Sequence, residues 1–190
     1  MIWDSRYWKT DLLKYARDLR RRRTQRRWSD SSFARIERNV MLGFYAIRKL
    51  IDARKLSTHL VDQLIPLSCF PSKGTRVTLF NSSCVDKHYD FGKKAELKKD
   101  LVFVCNQVIH SFVFEFEILA KGSLAGILVS SDRERCKRLF RIPVGEVIRI
   151  FERTGNDYPH SFTAEFCEKL GDYAVSTARK NGGMLLAKGH

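Results

Sequence analysis

The first third of the chain is patterned as helix. Trp8, Leu12, Ala16 and Leu19 recur every three or four residues while Lys9, Lys14 and Arg17 fall on other faces, which predicts an amphipathic helix over 5–23. Four consecutive arginines, Arg20 to Arg23, sweep round that helix and end its apolar stripe, leaving no face of 20–23 to bury. Ser29, Asp30, Ser31 and Ser32 offer N-caps for a second helix over 32–55, whose stripe runs Phe33, Ile36, Val40, Phe44, Ile47 and Ile51. A short link between the two predicts an antiparallel hairpin, and a third helical turn after Ser57 uses Leu60, Val61 and Leu64 and stops at Pro66.

Beyond Pro71 the period changes. Arg76 to Phe80 reads as a strand, 81–93 as a polar loop, and Leu101 to Phe116 is split into a helix over 96–110 and a strand over 112–119. The 120–123 turn leads to a strand over 124–130, and a short strand follows at 138–142. Pro143, at a first helical position, opens a helix on Val144, Val147, Ile148 and Phe151 that ends before Gly155. Residues 161–166 and 172–176 pair about Gly171, and the tail from Lys180 is expected to fray. Helices first and strands later predict an α+β fold: an N-terminal helical hairpin, then a mixed, mostly antiparallel sheet with two or three further helices. One domain over 1–190 is expected, with a helical part over 1–66, an α+β body over 67–179 and a tail over 180–190.

Charge changes this picture most. The formal net charge is +14, and residues 1–55 hold 16 Lys/Arg against 6 Asp/Glu. The centre is Arg20, Arg21, Arg23, Arg26 and Arg27, with Arg17 and Arg22 beside them. Like charges this dense repel one another unless an acidic partner neutralises them, and arginine suits bidentate phosphate contacts. The expected function is therefore a non-enzymatic, nucleic-acid-associated or regulatory binding protein gripping phosphates with these five arginines, with Tyr7, Trp8 and Trp28 placed to stack on bases. A protein-interaction module binding an acidic partner is a further alternative. The apolar content of 44% argues against disorder, no run of about 18 apolar residues predicts a membrane span, and the first residues lack a secretory apolar core. Five widely spaced cysteines without a C-x-x-C are expected to be reduced in a cytoplasmic protein, most of them as small buried hydrophobes. No metal-ligand spacing, Walker A loop or dinucleotide fingerprint occurs, so neither metal nor cofactor is expected.

Two stretches carry candidate chemistry. In Cys105-Asn106-Gln107-Val108-Ile109-His110, a helix puts Asn106 and His110 on one face. This resembles the second half of the Arg-Asn-x-x-x-His signature of HEPN ribonucleases, with Cys105 at the arginine position. The resemblance implies RNA cleavage without metal, His110 serving as general acid or base, in an all-helical fold. Arg54 and His59 satisfy a looser Arg-x4-His form. The enzyme alternative is thus a metal-independent ribonuclease using Asn106/His110 or Arg54/His59. Ser131, Asp132 and Arg133, leaving an apolar strand, form a possible pocket for phosphate or another ligand. Glu115 and Glu117 are expected on an exposed acidic strand face opposite Phe112, Phe114 and Phe116.

Overall fold

The computed structural model describes residues 2–169 and 171–178. Helix α1 (Ser5–Arg22) starts where the Asp4 side chain accepts from the Arg6 N–H at 2.8 Å, and α2 (Asp30–Asp52) starts on Ser29, whose hydroxyl accepts from the Ser32 N–H. The expected hairpin contact exists through Asn39, whose amide donates to Asp18 at 2.9 Å, but α1 packs chiefly along α6 (Val144–Gly155). Gly155 permits that approach, since a Cβ there would sit 2.7 Å from the Leu13 side chain and 3.0 Å from the Lys9 carbonyl. One arginine departs from expectation. Arg22 folds back onto Asp18 at 3.0 Å and is largely covered, because the carboxylate supplies the partner that a bare helix face lacks.

Helix α3 (Thr58–Val61) is the expected short turn, but β1 (Ile65–Pro71) follows it directly. Its two prolines read as breakers, yet they stand near the strand ends, and Pro66 lies outside the stretch paired with β5 (Arg138–Pro143). Residues 76–80 are not a strand. The Asn81 side chain accepts from the Thr78 N–H at 2.7 Å and donates to the Arg76 carbonyl, curling the segment so that Val77 is buried while Leu79 and Phe80 stand exposed. Buried His88 sits between the Thr75 hydroxyl at 2.7 Å and the Asn81 carbonyl at 3.0 Å, at the end of α4 (Val85–His88).

The expected helix over 96–110 is two elements. Strand β2 (Ala95–Lys99) precedes α5 (Leu101–Ile109), and Asp100 divides them by accepting from the Phe103 N–H at 2.7 Å. Strands β3 (Ser111–Ile118) and β4 (Leu124–Ser131) complete a five-stranded antiparallel sheet in the order β2-β1-β5-β4-β3. Pro143 closes β5 and caps α6 rather than occupying its first turn. Strands β6 (Ser161–Cys167) and β7 (Asp172–Ala178) form a separate hairpin. The expected tail over 180–190 lies outside the described residues.

One sheet face carries Ile65, Leu67, Ile127, Val129, Phe140 and Ile142 into the main core under the long helices. The other carries Phe70, Val113, Leu128 and Leu139 under the 72–92 segment, with Tyr89 at its centre. A register irregularity between Ser111 and Val113 sends Phe112 to this second face with Val113, breaking the expected run of three phenylalanines on one side. The expected acidic face is half-buried instead of exposed: Glu117 takes two guanidinium bonds from Arg141, at 2.7 and 2.8 Å, and burial raises the Glu115 carboxyl above its ordinary range. The α+β architecture is as expected, and it departs from the all-helical fold that the HEPN resemblance implies.

Candidate functional site

Two regions collect the candidate residues, at opposite ends of β4. At the first, the chain leaves α1 and crosses the β3–β4 turn. The Trp28 indole N–H donates to the Gly122 carbonyl at 2.6 Å, and its ring stacks on Phe33, which stacks on Phe116. Trp28 is therefore committed to packing and is not a free base-stacking platform. Gly122 has φ +83°, and a Cβ there would lie 2.6 Å from the Arg26 carbonyl, so the turn and the arginine-rich link fit only with glycine. This fixes the backbone beneath Arg26 and Arg27. Arg20, Arg21, Arg23, Arg26 and Arg27 are all exposed. Arg20 pairs with Glu152 at 2.7 Å, and among the described residues the other four meet no carboxylate. Arg23 and Arg149 line one groove beside Ser123 and Leu124. Tyr7 and Trp8 belong to the far end of α1, roughly 20 Å along the helix from Arg20.

At the second region, antiparallel pairing joins stretches that sequence reading treated separately. Ser111 pairs with Ser131, so His110 just before β3 stands beside Asp132 just after β4, and the Asp132 N–H donates to the His110 carbonyl at 3.2 Å. Arg48, Asn106, His110, Ser131, Asp132 and Arg133 line a single cleft of about 480 Å³. Its walls are held from behind. Gln107, buried, accepts from the Ser131 N–H through its side-chain oxygen at 3.0 Å. The turn after β4 is pinned where the Tyr89 hydroxyl donates to the Arg135 carbonyl at 2.6 Å and the Arg135 guanidinium covers the Phe112 ring at 3.7 Å. Burial pushes the Tyr89 phenol up to about 12, which keeps that donor protonated.

Arg48 was not legible as a site residue. It lies on the flank of the α2 stripe, where a cation ordinarily faces water, and only the packing of α2 against α5 brings it here. Cys105 stands where the resembled signature has its arginine. That side chain is wholly buried, and burial drives its thiol far above the ordinary range, so no cation belongs at that position. Of the other cysteines, Cys136 is exposed and Cys69, Cys84 and Cys167 are partly exposed, so only Cys105 is the buried hydrophobe expected. Arg54 and His59 are exposed on different elements and line no part of the cleft. Arg54 instead takes φ 55° in the turn that closes α2.

No known family, characterised protein or solved structure matches the chain. Among the described residues, no cluster of three or more His, Cys, Asp or Glu is placed to hold a metal ion, and no helix is long and apolar enough to cross a membrane.

Proposed function

We propose that this chain is a non-enzymatic, cytoplasmic nucleic-acid-associated protein that grips a phosphate backbone with Arg20, Arg21, Arg23, Arg26 and Arg27. One observation carries the reading: Arg21, Arg23, Arg26 and Arg27 are exposed with no carboxylate partner among the described residues, on a link anchored by Trp28 and Gly122. Such an array gains little from water and much from releasing counterions condensed on a polyanion.

Anisotropy titrations with duplex DNA and with single-stranded RNA, at several salt concentrations, test it. If four or five phosphates are met, log affinity falls with log salt at a slope near about −4 for duplex and somewhat less steeply for the single strand. Replacing Arg26 and Arg27 together by Ala lowers that slope by about 2. Absent or salt-insensitive binding to both probes overturns the reading and leaves an acidic protein as the partner to seek.

A further inference from the structure

The geometry points to a second site: the cleft at the other end of β4 binds a phosphoryl group carried next to a hydroxylated sugar. This site is separate from the arginine surface. β4 alone, from Leu124 to Ser131, spans roughly 23 Å between the two regions, so no single phosphate meets both.

The lining decides the ligand class. All six residues are polar or charged, so an apolar ligand would find no wall to cover it. Arg48 comes from α2 and Arg133 from the turn after β4, and together they bring two guanidinium groups to one cleft. Arg48 also touches Asp52 at 3.2 Å through one terminal nitrogen, which leaves most of its five N–H donors for a ligand. The Asn106 amide, the His110 imidazole and the Ser131 hydroxyl add short-reach hydrogen-bonding groups around the same space. A tetrahedral anion with several terminal oxygens is what such a set satisfies.

Asp132 narrows the class further. A carboxylate in a cleft built for an anion repels it unless it has another task, and Asp132 pairs with Arg135 at 3.3 Å. A carboxylate beside a phosphate site is suited to accept hydrogen bonds from sugar hydroxyls, so phosphate and sugar divide the cleft between them. One wall is also preformed. Gln107, the Asp132–His110 backbone bond and the Tyr89–Arg135 contact fix the wall that carries His110, Ser131, Asp132 and Arg133, so little ordering of that wall remains for a ligand to impose. Two sources present this chemistry: a free nucleotide, or the sugar-phosphate backbone of RNA.

Calorimetry on the full chain distinguishes them. One arm uses a nucleoside 5′-monophosphate; the other uses a short RNA without terminal phosphate, in salt high enough to suppress the arginine surface. Each arm compares the unaltered protein with Arg48→Gln, Arg133→Gln and the Arg26→Ala/Arg27→Ala pair, with far-ultraviolet circular dichroism to verify folding. The proposal expects binding in at least one arm, weakened tenfold or more by Arg48→Gln and by Arg133→Gln and left unchanged by the Arg26/Arg27 pair. Dependence confined to the RNA arm assigns the source as backbone phosphate, whether the RNA is recovered whole or cut. Should Arg48→Gln fail to fold, Arg133→Gln decides alone, since its side chain lies on an exposed turn. Binding in neither arm at millimolar ligand, or binding that ignores both Arg48 and Arg133, overturns the proposal.

Discussion

Arg54 shows how a single residue can sit against its own preference. The Lys55 N–H reaches the Leu50 carbonyl and the Arg54 N–H reaches that of Ile51, the paired bonds that end a helix through a left-handed residue. Glycine favours that position, and Arg54 holds it with φ 55°. Arg54→Gly should therefore raise stability by about 0.5 kcal/mol, after allowing for the greater freedom of glycine in the unfolded chain, read as a higher urea midpoint with unchanged slope. Glu115 gives a pH signature. Burial disfavours its charged form, so its folded-state pKa lies above the ordinary 4.5. Between the two values the folded chain binds more protons than the unfolded chain, and the contribution of Glu115 to stability falls as pH rises through that window. Glu115→Gln removes the decline. The variant should gain on the unaltered protein as pH is raised from about 4 to 7, measured by thermal midpoints of both. Residue types announced neither effect, because a backbone angle and a degree of burial belong to the folded surroundings.

The elements divide by how their side chains are used. The α1, α2, β3, β4, β5 and α6 segments were legible because each buries one face and so repeats at 3.6 or 2 residues. β1, β2 and the 76–80 segment were not. Strand β1 hides behind two prolines, β2 is short with three charged residues in five, and residues 76–80 obey the Asn81 side chain and not their own alternation. The β6–β7 hairpin is the element held least firmly. A two-stranded sheet is marginal alone, and Phe162, Phe166 and Tyr173 remain exposed on it. Thr177 ties it down: its N–H donates to the Thr58 hydroxyl at 2.9 Å and its own hydroxyl to the Leu56 carbonyl at 2.5 Å. Thr177→Val removes the second bond at little change in volume. Hydrogen exchange should then quicken in 161–178 by about fivefold while β4 amides keep their protection, since one such bond contributes about 1 kcal/mol.

At the scale of the molecule, charge placement sets the response to salt. With +14 in total and its densest patch on one link, the chain repels itself at low ionic strength. Raising salt from 0.01 to 0.15 M shortens the screening length from about 30 to about 8 Å and should raise the thermal midpoint, with a smaller rise in the Arg26→Ala/Arg27→Ala variant. An equal rise in both would place the repulsion elsewhere. The same patch lies at the opposite end of β4 from the cleft.

Taken alone, the amino-acid order determined the α+β class, most helices and strands, and the arginine cluster, since hydrophobic period and charge are local properties written in neighbouring residues. It also named Asn106, His110, Ser131, Asp132 and Arg133, in two separate stretches whose convergence it left open. That they share a wall, with Arg48 completing it, was decided by the pairing of Ser111 with Ser131 and by the packing of α2 on α5. Those are contacts between distant parts of the chain, and a linear pattern does not encode which distant surfaces meet.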